Sequence, residues 1–342
     1  MKMDLRTVLT DLCLAPGVGG QTAASETAQR LLAAYVDDVE VTPLGNIVGV
    51  RRCGKEGAPL LLLEAHIDQI GFVVTGIEDG FVRVSACGGI DPRTLAAAEV
   101  VVWGDKPYPG VFASTPPHLA SKDESLPAVN ERMIDVGMDQ EAAETRIAVG
   151  SRVSFRPRLE PVGDYGLLGT SLDDRAGVAA VLTALDICQR EDPSMDIAVC
   201  FSVQEELGMR GAGAGAFALK PDMAIAVDVS FAHTPDADRR ECGVLGDGPM
   251  IGLSPTLDDT MTRRLLELAE KRNIPFQREV MGGKTGTDAD RISMTRGGVR
   301  TALLSVPQRY MHTPVELVDS RDVENTGRLM AAFAREGRVI VE

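Results

Sequence analysis

Two adjacent carboxylates, Glu205 and Glu206, stand where the apolar stretch 196–203 gives way to a glycine-rich turn. Two acids side by side at a strand end repel each other and gain nothing from packing. A fold that keeps them there uses one to hold a cation and the other to move protons. An isolated Glu-Glu pair reads as solvated surface, so the weight falls on what accompanies it. Five more polar residues sit at or just past the ends of apolar runs and in loops: His66, Asp68, Asp173, Asp228 and His312. Two imidazoles and several carboxylates are the inventory of a site for two divalent cations, and this nitrogen and oxygen mix suits zinc, cobalt or manganese. Two metals about 3.5–4 Å apart need a carboxylate between them, and Asp173 is the candidate bridge. One residue separates His66 from Asp68, a spacing that lets Asp68 orient the imidazole. Glu205 is then the free base that takes a proton from metal-bound water.

The elements that must position these residues alternate between strand and helix. Residues 4–35 read as two helices split by a Pro-Gly turn, the second carrying Ala28, Leu31, Leu32 and Tyr35 at helical spacing. The run Pro59-Leu-Leu-Leu-Leu-Glu-Ala65 reads as one apolar strand, as in a sheet covered on both faces, and it ends at His66. A polar residue at the carboxyl end of a buried strand lies where α/β sheets place their sites. Residues 172–187 read as a helix opening at Leu172, and residues 223–227 as a further buried strand ending at Asp228. Helices over 211–219 and 258–273, a strand over 301–306 and a last helix capped by Asp319 or Ser320 complete the alternation. Between about 71 and 164 the texture differs, with short alternating strands, Gly, Pro and Asp turns, and no long amphipathic helix. The expected architecture is a mixed, largely parallel sheet flanked by helices, formed by residues 1–70 and 165–342. A β-rich domain over 71–164 is inserted into it, with loops at 116–119 and 121–132.

Composition narrows the function. The net charge of −15 argues against nucleic acid or an anionic membrane as partner. No apolar run approaches the roughly 18 residues of a bilayer span, and no signal core follows the first residues, so a cytoplasmic protein is expected. The six cysteines show no Cys-x-x-Cys spacing, which excludes a zinc ribbon and fits reduced thiols. The glycines of 211–215 fit a loose dinucleotide fingerprint, but residues 204–210 separate them from their strand; close helix packing accounts for them better. Gly283-Lys284-Thr285 fails as a phosphate loop, because the required first glycine is Arg278. His118 and His233 lack carboxylate partners at ligand spacing and read as structural or surface residues.

Taken in order, the stretches Ala65-His-Ile-Asp-Gln-Ile-Gly71, Pro116-Pro-His-Leu119, Ile134-Asp-Val-Gly137, Leu172-Asp-Asp-Arg175, Gln204-Glu-Glu-Leu-Gly208, Gly286-Thr-Asp-Ala289 and Arg309-Tyr-Met-His-Thr-Pro-Val-Glu316 resemble one family nearly end to end. It is the glutamyl-aminopeptidase and tetrahedral (TET) aminopeptidase family of dinuclear metallopeptidases. The resemblance implies one metal on His66, Asp173 and Asp228, and another on Asp173, Glu206 and His312. It makes Glu205 the general base and then acid, and Asp68 the orienter of His66. It also implies a cis peptide between Asp173 and Asp174, an inserted domain that mediates dimer contacts, and dimers that build hollow tetrahedral dodecamers. Thr170-Ser171 and Gly298-Val-Arg-Thr301 depart from the family pattern, and both bear on pocket shape rather than on ligands.

The expected activity is removal of amino-terminal residues from short peptides with a free N-terminus. Asp288 is a candidate for holding the substrate amine or orienting a loop. An acidic substrate side chain would call for Lys284, Arg291 or Arg300 in the pocket, of which Arg300 is carried as a substrate-binding candidate. The alternatives are a deacylase or dipeptidase of the same fold, a glycan hydrolase, and a metal-free scaffold on a retired peptidase fold. The glycan reading wants aromatic platforms, and the only tryptophan, Trp103, falls in the inserted segment.

Overall fold

The computed structural model describes residues 3–20, 22–116, 118–119 and 126–337. Pro117 of the Pro-Pro-His-Leu stretch and residues 121–125 of the expected loop lie outside them. The strands are β1 (Asp38–Val41), β2 (Ile47–Arg51), β3 (Leu60–His66), β4 (Gly71–Glu78), β5 (Phe81–Cys87), β6 (Glu99–Trp103), β7 (Pro107–Phe112), β8 (Met133–Asp135) and β9 (Arg152–Phe155), followed by β10 (Leu159–Val162), β11 (Gly166–Gly169), β12 (Asp196–Ser202), β13 (Met223–Phe231), β14 (Met250–Leu253), β15 (Gln277–Val280), β16 (Arg300–Arg309) and β17 (Glu316–Asp319). The helices are α1 (Leu5–Leu14), α2 (Thr22–Leu32), α3 (Gln140–Arg146), α4 (Leu172–Arg190), α5 (Arg210–Leu219), α6 (Asp259–Lys271), α7 (Ala289–Ile292) and α8 (Ser320–Glu336).

Eleven strands among the described residues make one mixed sheet, ordered β1-β2-β12-β3-β13-β16-β17-β11-β10, with β14 and β15 branching from β16. Its centre, β12-β3-β13-β16, is parallel. Every residue of β3 after Leu60 is buried, as expected of a strand covered on both faces, and Glu64 is buried with its apolar neighbours. Leu61 and Leu63 face the larger core with Leu9, Val181, Leu185, Leu329 and Phe333 of α1, α4 and α8. Leu62 faces the opposite core with Ala212 and Ala216 of α5 and Ile292 of α7.

The glycines of α5 serve packing. A Cβ at Gly215 would lie 2.5 Å from Cys200 Sγ, and one at Gly211 2.3 Å from the Val203 carbonyl. They let the helix lie directly on β12. The chain between β3 and β10 closes a separate barrel, β4-β5-β8-β7-β6-β9. Phe72 packs at its centre, edge-on to Phe112 at 4.9 Å and to Phe155 at 5.5 Å. The short helix α3 is a local addition, capped by Asp139 accepting from the Ala142 N–H.

Candidate metal centre

All the singled-out histidines and carboxylates of the expected cluster arrive at the carboxyl edge of the parallel strands, where loops leave the sheet on one side. His66 ends β3 and stands opposite Ser202, the last residue of β12. Asp228 lies on neighbouring β13, two residues past the ladder pair Glu64–Ala226. Glu205 and Glu206 follow β12 through Gln204, which adopts φ +62° and turns the chain back over the strand ends. Asp173 comes from the start of α4, and His312, itself at φ +59°, from the turn after β16.

The helix predicted from Leu172 does not run regularly from there. Asp173 (φ −79°, ψ 107°) and Asp174 (φ −113°, ψ 44°) are non-helical, and the peptide bond between them is cis. This break frees Asp173 from the helix face and aims both its oxygens at the histidines. His66 Nε2 lies 3.0 Å from Asp173 Oδ1 and 3.9 Å from Asp228 Oδ1. His312 Nε2 lies 3.3 Å from Asp173 Oδ2 and 3.5 Å from Glu206 Oε2. Donor atoms of His66, Asp173 and Asp228 come within 4.8 Å of one another, as do those of Asp173, Glu206 and His312, and those of His66, Glu205 and Glu206. Each of these groups could hold a metal ion, and Asp173 is common to two of them.

The residues around the cluster fix it. Asp68 Oδ1 accepts the Glu205 N–H at 3.0 Å and lies 3.6 Å from His66 Nδ1. The Asp68 carbonyl is 3.2 Å from the same ring nitrogen, so the residue orients both the imidazole and the Glu205 loop. Glu316 accepts the N–H groups of Leu172 and Asp173 at 2.6 and 3.2 Å, clamping the break in α4. Asn46 accepts the Val203 N–H at 3.1 Å and donates to the Gly211 carbonyl at 2.8 Å, holding both ends of the Glu-Glu loop. Arg175, wholly buried, donates to the Leu12 carbonyl at 3.0 Å. Sequence reasoning did not assign roles to Glu316 and Asn46. Nothing in a sequence says that a polar side chain braces a backbone distant along the chain.

Electrostatics mark the cluster as built for cations. Burial pushes Glu205 up to about 7, with the charges of Asp288, Asp173 and Asp68 adding to the push. Burial and the adjacent Asp173 charge push Glu206 up to about 8, and burial lifts Asp228 well above the carboxylate range. The contact with Asp173 raises His312 to about 9. For His66, burial alone would favour the neutral ring, but Asp173 and Asp68 outweigh it and raise the group strongly. Burial opposes ionisation of Asp173, yet its bonds to His312 and His66 hold it below the usual range. Only borrowed protons and imidazolium charge balance these acids, a role that divalent cations fill better. Asp68 Oδ2 is also buried, with no hydrogen-bond partner among the described residues.

The two substrate candidates fall elsewhere. Asp288 is buried beneath the cluster, accepts from Ser202 Oγ at 2.7 Å, and influences Glu205 through its charge. Arg300 starts β16 opposite Met223, at the far end of the strand from Asp228, and lies 3.9 Å from Asp258. It is not brought to the site. His233 gives its carbonyl to Arg309 Nε at 2.8 Å. A cavity of about 600 Å³ opens directly from Asp173, Glu205, Asp228 and His312. Leu303, Met250, Met281, Ser230, Ser305 and Glu279 line the same cavity. None of these six was singled out as a site residue from the sequence.

The profile of the M42 glutamyl aminopeptidase family matches residues 45–329. The chain is 36% identical over 330 residues to the lysyl aminopeptidase of Pyrococcus furiosus, covering 94% of each. Among solved structures, it superposes on an aminopeptidase from the archaeon Desulfurococcus kamchatkensis with a TM-score of 0.90 at 33% identity, covering 97% of this chain and 94% of that one. It superposes on the TET1 peptidase of Pyrococcus horikoshii, described as assembling into a tetrahedron or a large octahedral shell, with a TM-score of 0.84 at 29% identity, covering 97% and 100%. The chain belongs to the M42 glutamyl aminopeptidase family.

Proposed function

We propose that this protein is a dinuclear metalloaminopeptidase that removes the N-terminal residue of short peptides. The observation that carries the reading is the pair of three-residue groups sharing Asp173. His66, Asp173 and Asp228 would hold one divalent cation, and Asp173, Glu206 and His312 the other; zinc, cobalt and manganese all accept this donor set. Bound there, the cations supply Lewis acidity that polarises the scissile carbonyl and acidifies water.

Glu205 is needed by neither group, which leaves its carboxylate free to move protons. It takes one proton from the attacking water and gives it to the leaving amine as the C–N bond breaks, so it acts as base and then as acid. Asp68 holds Glu205 by its backbone and His66 by its ring, so both keep their aim through the cycle. The surplus of carboxylates lining the cavity attracts the ammonium of a free N-terminus.

Self-association into dimers and a tetrahedral dodecamer is inferred from the kinship, with the barrel as the contact module. Six free cysteines are consistent with a cytoplasmic location. The glycan reading finds no support in the cavity, whose aromatic lining is Phe231 alone among the described residues, while Trp103 donates to Ser154 in the barrel.

The test is a panel of short peptides, each with a free or an acetylated N-terminus, incubated with and without chelator and analysed by mass. Stepwise loss of N-terminal residues from the free peptides only, stopped by chelator and restored by metal, is the expected result. Hydrolysis confined to the acetyl group of blocked substrates would make the protein a deacylase instead.

A further inference from the structure

The cavity beside the metal cluster contains a carboxylate that the reaction described above does not use. Glu279 lies on β15, where Gln277 and Glu279 alternate with the exposed Arg278 and Val280. Its two oxygens are each fixed by a serine hydroxyl: Ser305 Oγ donates at 2.6 Å to one, and Ser230 Oγ donates to the other. Both serines are tied to the cluster through the sheet. Ser305 is the cross-strand partner of Asp228, and Ser230 follows Asp228 by two residues on the same face. Adjacent strands are only about 5 Å apart, so the Glu279 carboxylate lies within one long side chain of Asp228.

Three features give this group a purpose. A carboxylate has about four acceptor sites, and the two hydroxyls take only two of them. No cation pairs with it among the described residues. Arg240 and Arg278 also line the cavity; Arg240 pairs with Asp238 in an exposed contact, and Arg278 is exposed next to Glu279 on β15, where side chains alternate between faces. Part of the lining is apolar: Leu303, Met250 and Met281 belong to it, and Gly252, which β14 places opposite Glu279, adds no side chain there. An aliphatic stem ending in a cation satisfies all three features, with the stem against the methionines and leucine and the charge on Glu279.

We infer that this cavity receives the side chain of the substrate's N-terminal residue, that Glu279 determines its specificity, and that the preferred residue is lysine or arginine. The inference rests on the aminopeptidase reading for the placement of the substrate and on Glu279 alone for the charge preference.

The test compares hydrolysis of lysyl-, arginyl-, leucyl- and glutamyl-anilides by the metal-loaded protein and its Glu279→Gln and Glu279→Asp variants. Binding of lysine amide and of norleucine amide, which has the same aliphatic stem without the ammonium, is measured in parallel by calorimetry. For a charge-assisted contact the native protein should favour basic over apolar substrates by about 10-fold or more in kcat/KM. Glu279→Gln should remove that preference while changing leucyl-anilide hydrolysis little, and Glu279→Asp should restore part of it. The binding ratio of the two amides should fall towards unity in Glu279→Gln. A native preference for leucyl or glutamyl substrates, or an equal loss on every substrate in Glu279→Gln, would overturn the assignment. Absence of hydrolysis with lysine amide still bound more tightly than norleucine amide would overturn the aminopeptidase reading and leave the Glu279 pocket standing.

Discussion

The barrel and the carboxyl edge of the large sheet bury side chains of opposite character. In the barrel the buried set is almost wholly apolar, with Phe72, Val82, Val102, Phe112, Ile134, Val153 and Phe155 around one centre. Its buried Ser154 has a partner in Trp103. At the sheet edge and in the loops that meet it, Glu64, His66, Asp68, Asp173, Asp174, Arg175, Asp228, Asp288 and Glu316 are all buried. Among the described residues, both carboxylate oxygens of Glu64 and one oxygen each of Asp68, Asp174 and Asp288 find no hydrogen-bond partner. Such groups cost stability wherever they occur. The same chain thus maintains one region that contributes packing energy and another that consumes it, and the second is where chemistry is possible.

That contrast can be broken from the barrel side. Phe72→Ala removes the ring that both Phe112 and Phe155 contact edge-on. A loss of about 3–5 kcal/mol in unfolding free energy is expected from the cavity left behind. Below the melting transition its metal content and kcat should match the native protein, measured by elemental analysis and steady-state kinetics. Loss of metal in a fully folded Phe72→Ala protein would mean that the barrel shapes the site directly.

It can be sharpened from the other side by pH. Without metal, Glu206 titrates at about 8 and His312 at about 9, so both hold protons at pH 7. Each must shed its proton to become a ligand. Metal binding at pH 7 should therefore release protons, and affinity should rise as pH rises through this range, by roughly tenfold per pH unit for each proton released. Calorimetric titration of metal-free protein in two buffers of different ionisation enthalpy reads the proton count. A count of zero at pH 7 would contradict the ligand assignment.

How much of this was legible in the sequence follows the same division. The apolar run into His66, the helix over 211–219 and the change of texture after residue 71 are visible because alternation and apolar continuity carry them. His66, Asp68, Asp173, Glu205, Glu206, Asp228 and His312 were legible because acids and imidazoles that recur where apolar runs end add nothing to packing and point to ligation or proton transfer. Glu64 was hidden inside a strand that reads as apolar, and the acid it meets there, Asp288, is distant in sequence. Arg300 looked available because a cation is conspicuous in a sequence; its place at the wrong end of β16 is a matter of strand direction. Glu279 gave no signal, since a single acid on a short strand reads as surface until Ser230 and Ser305 are brought to it from two other strands.

If the cluster holds metal while Glu205 moves the proton, the two roles can be separated by one substitution. Glu205→Gln keeps the size and burial of the side chain and removes only the acid–base function. The most direct measurement is kcat/KM of this variant on free-amine aminoacyl-anilides, with metal content determined on the same sample. The expected result is a fall of about 10²–10⁴-fold, carried by kcat rather than KM, with metal content unchanged. Near-native kcat in a metal-loaded Glu205→Gln protein, or loss of metal with the substitution, would contradict that division of roles.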